Sequence, residues 1–300
     1  MDGIINIYKE PGFTSHDVVA KLRGILHQKK IGHTGTLDPL ASGVLPVCCG
    51  KATKACGLLT DKDKSYHAVC RLGVETDTQD MSGIIIRKCD ITGITKEDII
   101  NCARHFEGRI MQVPPMYSAL KVKGKKLYEL AREGITIERE PRQVTIHSIN
   151  ITDIDIKNSM FSMDITCSKG TYIRTLCHDI GIMLGNAAAM EKLVRTRVSV
   201  FKIEDALTLA EVQDIAKNQP ERLKEYLMPS DALFTGYKKA QIKNGSEKAL
   251  ANGNKLSCSM FEGFTEEPAE GEDILVYNCD GRFKAIYKRE GEEYKVKKMF

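Results

Sequence analysis

Residues 31–54 read IGHTGTLDPLASGVLPVCCGKATK and hold four glycines, two prolines and a single acid, Asp38, set between Leu37 and Pro39. A Walker A phosphate loop needs GxxxxGK followed by Ser or Thr. Here six residues separate Gly43 from Gly50, and Ala52 stands where the magnesium-binding hydroxyl belongs. A dinucleotide fingerprint fails too, since no GxGxxG marks a strand-to-helix turn. What remains is a glycine-rich loop running into a strand, VLPVCC. Asp before Pro is a common way to set a tight turn. The glycines also let backbone approach a ligand closely, so Asp38 reads either as a turn residue or as a presented carboxylate.

Outward from this loop, strands and helices mix without regular βαβ alternation. GIINIY (Gly3 to Tyr8) reads as a strand broken by Pro11-Gly12. Thr14 and Asp17 form a capping-box start for a helix with Val18, Val19, Leu22, Ile25 and Leu26 at helical spacing. KATKACGLLT reads as a short helix. SYHAVCRLG alternates, with Tyr66, Ala68, Cys70 and Leu72 on one face of a half-buried strand. Thr95 and Asp98 cap another helix, and KLYELAREG a further one, stopped by Gly134. QVTIHSINI and FSMDITCS read as strands. KGTYIRTLCHDIGIMLG starts as a strand end or loop and becomes a helix, and TLAEVQDIAKN is a last clear helix. The pattern predicts an α+β catalytic domain over residues 1–232, a mixed or antiparallel sheet flanked by helices. From residue 236 short strand-like runs and NG, ANGN and DG turn signals predict a small β-rich domain, 236–300, with a net charge of only +1.

Composition narrows the class. The 300 residues are 42% hydrophobic and 28% charged, as in a soluble globular protein. No apolar run nears the ~20 residues that span a bilayer, and MDGIINIYKEPG lacks the layout of a signal peptide. A cytoplasmic protein with no membrane association is expected. Ten cysteines without a CxxC pair argue against a disulfide framework and against zinc, so no metal is expected. The net charge of +4 permits a polyanionic partner without requiring one. Locally, KVKGKKLYE gathers Lys121, Lys123, Lys125 and Lys126 beside Tyr128.

A distant segment gives Asp38 chemical company. SKGTYIRT offers Tyr172 and Arg174, which project to the same side if the segment is extended. An arginine near Asp38 would hold it ionised, and tyrosines could stack on a flat ring for ~1–3 kcal/mol per base. A lone carboxylate speaks against paired-acid glycosidase chemistry. The residue types alone do not choose among the remaining reactions.

GHTGTLDPLASGVLPVCCGKATK closely resembles the catalytic motif of the TruB family of tRNA pseudouridine synthases. GFTSHDVV, DKSYHAVCRLGVETDTQD, PPMYSALKVKGKKLYELAREG and CSKGTYIRTLCHDIG agree with that family in order, over residues 3 to 210. The C-terminal segment resembles, more weakly, the family's small RNA-binding PUA-type domain. The resemblance implies isomerisation of uridine-55 in the T-loop of tRNA to pseudouridine, without cofactor or metal; nothing in the sequence calls for a protein partner, and a monomer is expected. It implies Asp38 as nucleophile, by attack on C1′, addition to C6 or removal of a ribose proton. Arg174 would pair with Asp38, Tyr66 would stack on the base and Tyr172 would line the pocket. His33 would help displace the base, and Lys9 and the lysines 121, 123, 125 and 126 would contact RNA. One departure falls at Lys9: the family's Lys-Pro-x-Gly is KEPG here. The C-terminal domain is expected to serve affinity more than chemistry.

Overall fold

The computed structural model describes residues 1–122 and 124–300. Strands β1 (Gly3–Lys9), β2 (Ile31–His33), β3 (Ser42–Cys49) and β4 (Lys64–Leu72) come first, followed by a small ribbon of β5 (Val74–Thr76) and β6 (Ile85–Lys88). Next are β7 (Gly108–Gln112), the hairpin β8 (Lys121–Val122) and β9 (Lys125–Lys126), then β10 (Arg142–Asp155), β11 (Met160–Cys167), β12 (Ala188–Val198), β13 (Phe201–Lys202) and β14 (Leu227–Met228). The helices are α1 (Ser15–Ile25), α2 (Cys56–Thr60), α3 (Lys96–Arg104), α4 (Leu127–Arg132), α5 (Ile173–Met183) and α6 (Leu209–Asn218). The main sheet runs β14-β1-β3-β12-β4-β11-β10-β7, with β2 also on β3 and β13 on β12. Its pairs are antiparallel except β3 with β12, which makes the sheet mixed and the fold α+β.

Local chemistry explains most of these elements. The capping boxes Thr14–Asp17, Thr95–Asp98 and Thr208–Glu211 each satisfy free N–H groups at a helix start. β4 alternates as expected: Tyr66, Ala68, Cys70 and Leu72 face a core shared with α3, α5 and β11. The unbroken apolar run of β3 has a different cause, since both of its faces are covered. Leu45 and Val47 join α1 and α6, while Val44 and Cys48 pack toward the C-terminal sheet. Two readings need correction. KATKACGLLT opens as a 3₁₀ turn over Gly50–Ala55 before α2. The central strand β12 went unassigned in the sequence, although it bridges β3 and β4.

The second sheet contains β15 (Lys238–Ile242), β16 (Leu256–Ser257), β17 (Phe261–Phe264), β18 (Asp273–Tyr277), β19 (Phe283–Glu290) and β20 (Glu293–Met299), in the order β16-β20-β19-β18-β15-β17. Leu275 and Ile286 bury their side chains against Ile4, Val44, Cys48 and Phe201 of the main sheet. Among the described residues no helix is long and apolar enough to cross a membrane.

Candidate active site

The Asp38 loop joins β2 to β3 and is tied down at several points. Both the Thr34 amide and hydroxyl donate to the Pro46 carbonyl, at 3.2 and 3.1 Å. Leu37 is buried, and its amide donates to Ser15 Oγ at 3.0 Å, at the start of α1. The Ala41 amide donates to the Asp38 carbonyl at 3.1 Å, closing a turn with Pro39 as its second residue. The turn reading of the loop is therefore correct as geometry. From across the sheet, the Gly12 amide and Lys9 Nζ both donate to the Pro39 carbonyl, at 2.9 and 3.0 Å.

Lys9 itself requires a correction. It is 0% exposed, and Nζ also donates to the carbonyls of Glu10 (3.1 Å) and Phe13 (2.7 Å). Burial brings its pKa down to about 8, against the opposing charge of Asp38. A lysine so enclosed does not reach an RNA phosphate; it fastens the KEPG turn to the Asp38 turn. Glu10 lends this clamp only its backbone carbonyl, and its side chain stays in solvent.

Arg174 lies in the first turn of α5, and Tyr172 is the N-cap of that helix. Their expected shared side, argued from an extended segment, thus has the wrong basis. Instead Gln112 on β7 receives the Tyr172 amide and donates to its carbonyl, at 2.8 and 3.1 Å, which fixes where the helix begins. Arg174 then points its fork at Asp38: Nε meets Oδ2 at 3.0 Å and Nη2 meets Oδ1 at 3.3 Å. The guanidinium side chain is 7% exposed, whereas the Asp38 side chain is 38% exposed. Nη2 also donates to the Tyr117 carbonyl (2.8 Å), and Nη1 to the Thr78 carbonyl (3.1 Å) with Asp80 Oδ2 at 3.5 Å. A buried cation is tolerated when its donors are spent this way. The result is a carboxylate held in a fixed orientation with one side open.

Tyr66 is 8% exposed, and burial pushes its hydroxyl up to about 12; burial also raises that of Tyr172. Tyr66 stands opposite Arg195 in the β4–β12 ladder, and Tyr172 caps the helix that carries Arg174, the partner of Asp38. His33, at the end of β2, packs edge-on against His16 with ring centroids 5.0 Å apart. Burial, and then the His16 charge, lowers its pKa. It borders an open groove of about 570 Å³ that His16, Arg23, Lys29 and Lys30 also line, with no carboxylate among the lining residues. Lys121 and Lys125 sit exposed on the β8–β9 hairpin, Lys125 3.7 Å from Glu133, and Lys126 donates to the Tyr128 hydroxyl at 3.1 Å. Lys123 lies outside the described residues. The sequence reading missed a buried cation here, Arg195 of β12, which stands opposite Tyr66 in the β4–β12 ladder. The only signal for it was an arginine in a run too charged to read as a central strand.

Residues 23–173 match the model of the TruB family pseudouridylate synthase N-terminal domain, and residues 174–235 that of the tRNA pseudouridylate synthase B C-terminal domain. The join falls inside α5, so Asp38 and Arg174 belong to different matched segments. The chain is 50% identical to the tRNA pseudouridine synthase B of Lachnoclostridium phytofermentans, with all of each chain covered. It is 42% identical to that of Clostridium perfringens strain 13, covering 100% of this chain and 99% of the relative. A solved Cbf5–Nop10–Gar1 complex superposes with a TM-score of 0.75 at 29% identity, covering 99% of this chain and 84% of the matched one. On motif order, fold and full-length identity together, this chain belongs to the TruB family of pseudouridylate synthases.

Proposed function

We propose that this isomerase acts on tRNA, converting uridine-55 of the T-loop to pseudouridine, with Asp38 as the nucleophile on a base turned out of its stack. The observation that carries the reading is the forked Arg174–Asp38 pair, buried on the arginine side and open on the aspartate side. Fixed in this way, the carboxylate reaches a reacting atom without reorganising during the step. The other nearby acid, Asp80, faces Arg174 from the opposite side and accepts from Thr78 Oγ1, which leaves Asp38 as the presented group. In the isomerisation the bond from ribose C1′ to N1 breaks and a bond from C1′ to C5 forms. The proton lost from C5 is balanced by one gained at N1, so nothing else is consumed.

The surroundings suit a polyanion. The groove beside His33 is lined by basic groups without an acid, and Lys121 and Lys125 are exposed on their hairpin. Such contacts would offset the few kcal/mol that extruding a base costs. Tyr66 and Tyr172 would wall the pocket. A matched structure holds a substrate RNA containing 2′-deoxyuridine, at 27% identity and a TM-score of 0.74. Residues 1–232 would form the catalytic domain and 236–300 a PUA-like RNA-binding domain.

The test is Asp38→Asn on a T-arm stem-loop. Single-turnover pseudouridine formation should fall by at least about 10³-fold while the Kd for RNA stays within about threefold. Retained turnover would remove Asp38 from the nucleophile's role. Wild-type protein that binds tRNA yet makes no pseudouridine would mark a binding factor instead.

A further inference from the structure

Arg195 is 2% exposed at the middle of the sheet, and among the described residues no carboxylate oxygen lies within 4 Å of its nitrogens. Its Nε donates to the Val44 carbonyl at 2.7 Å and Nη1 to the Thr36 carbonyl at 3.4 Å. Those two carbonyls bracket the Asp38 turn. On the other side Arg195 stands opposite Tyr66 in the β4–β12 ladder, beside a break in register between Arg195 and Arg197. Across β3 it faces Gly43, whose missing side chain lets the two backbones meet. One buried cation thus holds the aspartate's loop at both ends and stands opposite the tyrosine on the next strand.

A guanidinium only donates hydrogen bonds, whereas a phenol can both donate and accept. Arg195 stands opposite Tyr66 in the antiparallel ladder, so an N–H given to the Tyr66 oxygen would occupy a lone pair and leave the phenol's own proton for an acceptor on the pocket side. We propose that Arg195 is a positioning residue for pseudouridylation: it orients the Tyr66 hydroxyl as a donor into the pocket and locks that hydroxyl and the Asp38 loop into one frame. The inference rests on the reaction proposed above.

The experiment is a cycle of Arg195→Met, Arg195→Lys, Tyr66→Phe and the Tyr66→Phe/Arg195→Met double variant, each assayed for RNA Kd and single-turnover rate on a T-arm stem-loop. Arg195→Met should slow the chemical step about 100-fold with Kd changed less than about threefold, and Arg195→Lys should recover about tenfold of that loss. In the Tyr66→Phe background the same Met substitution should cost no more than about tenfold, since the part that runs through the hydroxyl is already lost and only the hold on the Asp38 loop remains. Losses that multiply in the double variant, or a Kd that rises in step with the fall in rate, would overturn the proposal. If Arg195→Met does not fold, Arg195→Lys with and without Tyr66→Phe carries the same cycle. Wild-type turnover on the same RNA separates the two levels: its absence refutes the reaction, and its presence with multiplying losses refutes only the role of Arg195.

Discussion

Gly43 shows how much of the Asp38 loop is set by backbone fit. Its φ is +106°, and a Cβ placed there would lie 2.2 Å from the Arg195 carbonyl oxygen and 2.8 Å from its nitrogen. Glycine in this loop suggested close approach to a ligand, but at Gly43 the close approach is to strand β12. Gly43→Ala must therefore part β3 from β12 or force a disfavoured φ, and a loss of at least about 3 kcal/mol is expected. Urea unfolding measures it; a midpoint unchanged from wild type would mean the two strands separate at no cost. Lys9 carries a related lesson. A lysine next to Glu10, Pro11 and Gly12 has the composition of an exposed turn, and what encloses it is Pro39, thirty positions away. Asp38 was singled out by the distant Tyr172 and Arg174 and by the family resemblance, since its own loop left it readable as a turn residue. Lys9 was misread because its burial is made by tertiary contacts.

Among the elements, α5 carries the largest share of the site, and its placement depends on more than Arg174. One turn further on, His178 bridges Glu75 of β5 (Nε2 to Oε1, 3.2 Å) and Asp179 (Nδ1 to Oδ1, 3.1 Å), with Arg87 3.5 Å from Glu75. Hydrogen bonding to Asp179, then to Glu75, raises the imidazole pKa against the opposing effect of burial. The folded chain therefore holds this proton more tightly than the unfolded one. The stability it contributes is complete below the unfolded value of about 6.5 and is lost as pH rises through the raised folded value. Wild type should be more stable than His178→Gln at pH 5.5, with the gap narrowing by pH 8.5. Chemical denaturation at the two pH values decides it: an equal gap at both would exclude titration as the cause. The helix itself was legible from its spacing, but its start was not, because Gln112, sixty residues earlier, sets it. β12 was illegible for a sharper reason. Glu191, Lys192, Arg195 and Arg197 break the apolar pattern of a central strand. The bulges at Met190/Lys192 and Arg195/Arg197 upset its period, and carbonyls rather than carboxylates satisfy its buried arginine.

At the scale of the whole molecule the two sheets share a core, and this changes what removing the second one would do. The sequence suggested an accessory domain whose loss weakens RNA affinity and spares chemistry. Yet Leu275, Ile286, Phe283 and Phe300 pack against Ile4, Val44, Cys48, Phe201 and Phe234. Val44 also supplies the carbonyl that holds Arg195, two residues beyond the start of the strand leaving the Asp38 loop. A chain cut after Gly236 would expose that face of β1 and β3. Each large apolar side chain returned to water costs ~1.5–3 kcal/mol, so three or four of them consume most of a domain's ~5–15 kcal/mol. The truncated chain should melt more than about 10 °C below full length and bind a dye specific for exposed apolar surface. Its single-turnover rate at saturating RNA should fall along with its affinity, because the strand continuing the Asp38 loop has lost its backing. A truncated chain that melts within about 3 °C of full length and keeps its single-turnover rate would show that the C-terminal sheet rests on the main sheet without supporting it, and would restore the simpler division between binding and chemistry.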